Sequence, residues 1–219
     1  MLKDLGRNNT ILNNFLSEIR CETIQVDSMR FRRNLERLGE IFAYEISKTF
    51  TYKDVEVQTP LGISPMSVTA EEPVLGVILR AGLPMHQGML NYFDKAENAF
   101  ISAFRRYYND GSFEIKIDYM SGPCLEDRIF ILTDPILATG QSVALTIKDI
   151  VRHNGRPKHI HIVSAISSVE GIEYLKRQLS SYKYTLWTAA VDDELTAQAY
   201  IVPGLGDAGD LAYGPKSDD

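Results

Sequence analysis

Three short segments of this sequence combine residue types that could do chemistry. The longest runs Arg128-Ile-Phe-Ile-Leu-Thr-Asp134-Pro135-Ile136-Leu137-Ala138-Thr139-Gly140-Gln141-Ser142, from an apolar stretch to an acid and then through small residues. A strand ending in an acid, followed by a turn that opens a helix, reads as a ligand site. In open α/β sheets, ligands bind beyond the carboxyl ends of the strands. A helix N-terminus there offers free N–H groups and a dipole that favours an anion. Gly140 lets the backbone come close, and Thr139 and Ser142 add hydroxyl donors. Asp134 cannot hold a phosphate, but it can accept hydrogen bonds from two neighbouring sugar hydroxyls. An acid followed by an anion cradle describes a sugar phosphate. The competing reading is a plain strand–turn–helix junction with Thr139 and Ser142 as caps.

The second segment, Tyr200 to Asp210, holds Pro203, Gly204, Gly206, Gly209 and two acids, which is too much glycine and acid for a helix or strand. It is expected to be a shaped loop, whose backbone amides and carbonyls could match a flat ligand with alternating acceptors and donors. Alone, such a stretch would read as a surface turn. The third, Leu79-Arg80-Ala81-Gly82-Leu83-Pro84-Met85, directly follows an apolar run and puts Arg80 where it could clamp an anion bidentately. A lone strand-end arginine is as readily a salt-bridge residue.

The elements that must position these segments follow from periodicity. Phe31, Leu35, Leu38, Phe42 and Ile46 recur at helical spacing, which predicts a helix from a cap at Ser28 to about Thr49. Asp54 to Thr59 alternates like an exposed strand and stops at Pro60. Val74 to Leu79 is continuously apolar, like a central parallel strand. Further strands are expected at Ala99–Phe104, Arg128–Thr133, His159–Ala165 and Lys183–Ala189. Between them lie helical stretches near Pro84–Phe93, Ser142–His153 and Val169–Ser180. Alternation of this kind predicts an α/β fold with a largely parallel central sheet flanked by helices. No repeat or linker divides the chain, so a single domain over 1–219 is expected, with a helical N-terminal segment over about 10–50 and a core over about 53–215; Lys216 to Asp219 reads as a free tail.

The chain has 219 residues, 44% of them hydrophobic, enough for a sizeable core. A net charge of -6 argues against a nucleic-acid partner, which would need clustered Lys and Arg. No apolar run approaches the roughly 20 residues that cross a bilayer, and the start Met1-Leu2-Lys3-Asp4 is too polar for a signal peptide, so a cytoplasmic protein with no membrane partner is expected. Cys21 and Cys124 match neither metal-ligand nor redox spacing and are expected reduced. His86, His153, His159 and His161 show no metal-ligand spacing and read as structural or solvated; His159 and His161 should share a strand face, and Trp187 reads as core.

Taken together, the three segments resemble the type I phosphoribosyltransferases, and the Asp134-Pro135 form of the phosphate loop resembles their uracil-specific branch. The family's loop is Asp-Pro-Met-Leu-Ala-Thr-Gly-Gly-Ser; this chain departs at Ile136 and at Gln141, where lost glycine freedom would alter the start of the helix. The resemblance implies transfer of phosphoribose from phosphoribosyl pyrophosphate (PRPP) to uracil, giving UMP and pyrophosphate with Mg²⁺ held mainly through PRPP and water. It implies PRPP binding by Arg80, Arg105, Asp134 to Ser142 and Asp207, with Arg80, Arg105 and Asp207 as the catalytic set. Ile201, Gly206, Asp207 and Ala208 would bind uracil. Pro84 stands where the family's pyrophosphate loop has Gly, and Leu211 where a basic residue is common.

The second arginine is drawn from Ser102-Ala103-Phe104-Arg105-Arg106-Tyr107, with Arg106 the alternative, and the hairpin beyond it resembles the family's protruding β-arm. A homodimer or higher homo-oligomer is implied, and a GTP effector is left open. Two alternatives stand beside this reading: a pyrimidine-sensing RNA-binding regulator of the same fold, and a phosphoribosyltransferase for another base.

Overall fold

The run Val74–Leu79 has no polar side chain, and such a strand is stable only where both its faces are covered. The computed structural model describes residues 1–107 and 113–216, with the backbone alone at 104–107 and 113–115, and it buries this run in the middle of a sheet. Along the chain the elements are β1 (Leu2–Asp4), α1 (Ile11–Arg20), α2 (Ser28–Ser47), β2 (Tyr52–Thr59), β3 (Gly62–Thr69), β4 (Val74–Leu79), α3 (Leu83–Leu90), β5 (Glu97–Tyr107), β6 (Phe113–Ser121), β7 (Ile129–Thr133), β8 (Ile136–Leu137), α4 (Gln141–Asn154), β9 (His159–Ser168), α5 (Val169–Gln178), β10 (Tyr184–Asp192), β11 (Glu194–Leu195), β12 (Ile201–Val202) and α6 (Ala208–Tyr213). The main sheet has the order β1-β10-β9-β7-β4-β5-β6, with the short β8 also on β9. Every pairing in it is parallel except β5 with β6.

Strand periodicity divides the core in two. Along β7, Ile129 and Ile131 join the cluster made by α1, α2, α3 and α6, whereas Phe130 and Leu132 face the cluster made by α4 and α5. Phe31, Phe42 and Phe130 are fully buried, each stabilising the fold by about 1.5–3 kcal/mol. Helices α2 and α3 come into backbone contact through two glycines. A Cβ on Gly39 would lie 2.2 Å from the Met85 carbonyl oxygen, and one on Gly88 would lie 2.0 Å from that of Glu36. That close contact fixes α3, and with it the loop leading from β4.

Several expectations are corrected. Asp27, not Ser28, caps α2: its carboxylate accepts from the Arg30 amide at 3.0 Å, which makes Ser28 the first helical residue. Strand β2 begins at Tyr52 and forms a hairpin with β3, a separate two-stranded sheet. The extreme N-terminus is a strand, β1, on the edge beside β10. The Tyr200–Asp210 segment is not wholly loop: Ile201–Val202 pairs with β11, and α6 begins at Ala208. An acid N-cap at Asp207 and an alanine at the first helical position outweigh the local glycine content. Both cysteines are free thiols.

Candidate active site

The order of connections determines where a ligand can enter. From β4 the chain crosses through α3 to β5 on one side; from β7 it crosses through α4 to β9 on the other. Adjacent strands whose connections leave in opposite directions open a crevice at their carboxyl ends. Loops 80–82 and 134–140 flank that crevice. The first packs on the end of the strand that leads into the second: a Cβ on Gly82 would sit 2.8 Å from the carbonyl oxygen of Thr133.

The phosphate loop is anchored from below. The Asp134 amide donates to Val163 O at 3.0 Å, and the Pro135 carbonyl accepts from the Ala165 and Ile166 amides, both at 3.0 Å. Asp134 is half-buried, and one of its carboxylate oxygens accepts from the Ile136 amide at 3.4 Å. Gly140 caps α4 with φ +76°, a conformation that disfavours a side chain. Gln141 is the first helical residue, so its position does not require glycine. The amides of Gln141, Ser142 and Val143 lie in the first turn, where a helix supplies no acceptors of its own. Ser168, the N-cap of α5, ties the loop down: its hydroxyl donates to Ala138 O at 2.6 Å and accepts from the Gly171 amide at 2.8 Å.

Arg80 follows β4 across a cis Leu79–Arg80 peptide. Its guanidinium meets Asp210 Oδ1 at 3.1 Å and the Gly214 carbonyl at 3.3 Å, so the loop after β4 reaches α6. The two side chains are 37% and 39% exposed. A pair that open contributes at most about 1 kcal/mol, so a multiply charged anion can displace the acid. Pro84 lies in the first turn of α3, where its missing N–H deprives no acceptor.

Asp207 caps α6, its Oδ1 accepting from the amides of Gly209 at 2.8 Å and Asp210 at 3.0 Å. Its Oδ2 lies 3.7 Å from Lys216 Nζ, so Lys216 is engaged at the site instead of hanging free. A Cβ on Gly209 would lie 3.2 Å from Asp207 Oδ1 and 3.8 Å from Arg80 Nη2, so the acid and the guanidinium face one small space. Arg80, Asp207 and Asp210 thus meet beside α6, while the loop after β4 packs on the end of β7, where the 134–140 loop begins.

Residues 7–215 match the profile of the family described as uracil phosphoribosyltransferase. The chain belongs to the uracil phosphoribosyltransferase family. A uracil phosphoribosyltransferase of Porphyromonas gingivalis is 50% identical over 212 residues, covering 97% of each chain. One from Methanothermobacter thermautotrophicus is 39% identical over 213 residues, 96% of this chain and 94% of that one. Among solved structures, a protein from Aquifex aeolicus superposes with a TM-score of 0.85 at 28% identity, over 98% of both chains. An orotate phosphoribosyltransferase of Mycobacterium tuberculosis in complex with PRPP superposes at 0.51 and 11% identity over 86% of this chain and 94% of that one, a likeness of fold alone.

Within this uracil phosphoribosyltransferase fold, Arg80 meets α6 beside Asp207, and residues 134–142 follow β7, the strand next to β4. Ile201 and Ala208 are buried in the core at 7% and 3% exposure, while Gly206 is exposed with φ +92°. The backbone of Arg105 pairs with Ile115 and that of Arg106 with Glu114; their side chains and the hairpin tip at 108–112 lie outside the described residues. Leu211 is half-buried against the core, taking no part in the charged set.

Sequence reasoning missed the supports: Ser168, and Arg32, whose guanidinium donates to the Ala212 carbonyl at 2.6 Å and holds the end of α6. The Ser168-Val-Glu-Gly171 start of α5 carries an N-cap signal that could have marked the first. Nothing local marks the second. Trp187 is buried as expected and donates to His161 Nδ1 at 3.0 Å, and the rings of His159 and His161 lie 4.6 Å apart on one face.

Proposed function

We propose that the chain catalyses the transfer of phosphoribose from PRPP to N1 of uracil, releasing pyrophosphate and forming UMP. The observation that carries this is the meeting of Arg80 with α6 beside Asp207, which brings the anion loop and the Gly-rich loop to one crevice at the switch point of the sheet. In this reading the first-turn amides of α4 with Thr139 and Ser142 hold the 5′-phosphate, and Asp134 accepts from the ribose hydroxyls. Arg80, with Arg105, neutralises the departing pyrophosphate as C1 becomes oxocarbenium-like. Main-chain groups from Ile201 to Ala208 read O2, N3 and O4 of the base. Asp207 Oδ2, which lies 3.7 Å from Lys216 Nζ, takes or orients the N1 proton at the junction of base and PRPP.

Asp134 and Asp207 are hard oxygen donors, which suits Mg²⁺ shared with PRPP oxygens and water better than a cage of nitrogen or sulfur. When bound, Mg²⁺ would neutralise charge on the leaving group. Among the described residues no helix is long and apolar enough to cross a membrane. With both cysteines free, we place the activity in the cytoplasm. We further propose a homo-oligomer.

The test is UMP formation from PRPP and labelled uracil with Mg²⁺, with cytosine, hypoxanthine, guanine and orotate in parallel. Uracil-only turnover, lost in Asp134→Asn, supports the reading; turnover of another base reassigns it.

A further inference from the structure

Helix α1 and the end of β10 contribute nothing to the transfer chemistry, yet they meet directly beneath the base loop. Arg20, the last residue of α1, and Asp192, the last of β10, form a bidentate pair with both N–O distances at 2.8 Å. The same two groups hold one residue of the loop by both ends of its backbone. Arg20 Nη1 donates to the Gly204 carbonyl at 3.0 Å, and Asp192 Oδ2 accepts from the Gly204 amide at 2.9 Å. Gly204 has φ +56°, and a Cβ there would lie 2.1 Å from Ile201 O, so the backbone is folded tightly at this residue. Next to it, Gln25, with its amide turned to satisfy both neighbours, donates to Ile19 O at 2.8 Å and Leu205 O at 3.0 Å.

The pair is sheltered: the Asp192 side chain is 8% exposed and the Arg20 side chain 21%. Burial alone would raise the Asp192 carboxyl, but hydrogen bonds from Arg20 and the Gly204 amide, with the Arg20 charge, hold it below its ordinary value. Removing one partner of a buried pair leaves an uncompensated charge, so the arrangement resists opening. What it grips is the main chain of Gly204, two residues before the Gly206–Ala208 stretch. A loop that reads a base with its own amides and carbonyls depends on the placement of those groups to a fraction of an ångström.

We propose that Arg20 and Asp192 are positioning residues for base recognition: through Gly204 their ion pair sets the donor and acceptor pattern that the loop presents to uracil. The inference rests on the functional reading above.

The experiment uses the full chain. Uracil and PRPP are varied separately in UMP formation by wild type, Arg20→Met, Arg20→Lys and Asp192→Asn, with melting temperature and amide hydrogen exchange measured alongside. Arg20→Met should raise the KM for uracil by about tenfold or more while the KM for PRPP moves less than about twofold. Discrimination between uracil and cytosine should fall with it. Lysine keeps the charge but not the fork, so Arg20→Lys should recover part of the loss. Exchange at Leu205 and Gly206 should quicken while that at Leu132 stays unchanged. An unchanged uracil KM, or both KM values rising together with a lowered melting temperature, overturns the proposal.

If Arg20→Met does not fold, Asp192→Asn, which preserves shape, decides by the same criteria. A wild-type protein that makes no UMP overturns the functional reading instead. The exchange rates at Leu205 and Gly206 would still show whether the ion pair holds the loop, and unchanged rates would refute that hold.

Discussion

Two buried histidines make the stability of this fold depend on pH well above the carboxylate range. His161 is 3% exposed; burial, with the neighbouring His159 charge, holds its pKa at about 3. His86, also 3% exposed, is held at about 4 by burial, with Asn98 opposing weakly; among the described residues neither of its ring nitrogens has a hydrogen-bond partner. Both are therefore neutral in the folded state at pH 5.5, whereas in the unfolded chain a histidine protonates near 6.5.

A folded-state pKa below the unfolded one means that unfolding takes up protons, so stability is full above about 6.5 and is lost as pH falls. Each histidine costs about 1.4 kcal/mol per pH unit below 6.5, hence about 3 kcal/mol for the pair at pH 5.5. His159, lowered mainly by burial, acts in the same direction. Glu18, held at about 2 chiefly by its hydrogen bonds with Arg30 and Asn34, has the same sign but loses its contribution only below about 4.5, outside this window. Urea unfolding at pH 7.5 and 5.5, at one protein concentration, measures the difference. In His161→Gln, which keeps an acceptor for Trp187, the difference should shrink by about 1.4 kcal/mol. An undiminished difference in that variant would refute the argument for His161.

Three further outcomes are expected. Gly39→Ala drives a methyl to 2.2 Å from Met85 O, so it should cost about 1–3 kcal/mol in thermal unfolding and raise the KM for PRPP by shifting α3 and the Arg80 loop. Asp210→Asn removes an exposed partner of Arg80, so PRPP affinity by calorimetry should improve by no more than about fivefold, the limit set by an exposed pair. Chelating Mg²⁺ should abolish UMP formation, and adding it back should restore it, while the melting temperature without PRPP stays unchanged because the metal enters with the substrate.

The parallel sheet and the strand–turn–helix form of residues 128–142 were legible because their causes are local. A six-residue all-apolar run such as Val74–Leu79 is short and β-branched enough to favour a covered strand over a helix, and an acid, small residues and a glycine at a strand end can do only a few things. Ends of elements were read less well: Asp27 and Ser28 are both good N-caps, and the helix starts one residue earlier because the Asp27 carboxylate takes the Arg30 amide. The glycine-rich segment hid a helix because a two-bond cap at Asp207 decides the start of α6, and glycine content does not record that.

The supports were the least legible, for a reason of distance. Arg20 and Asp192 stand 172 residues apart, and Arg32 and Ala212 stand 180 apart. In the sequence Arg20, Arg32 and Asp192 each look like any surface charge. All three grip main-chain groups, which every residue possesses, so no pattern of side chains announces the partner. A loop that reads its ligand through the backbone leaves its residues free to vary in type. What it cannot leave free is the placement of that backbone, and in this fold Gly204 is held by Arg20, from the other end of the chain, together with Asp192 at the end of β10. In such a site the substitutions that change base specificity should fall outside the loop, at the residues that hold it.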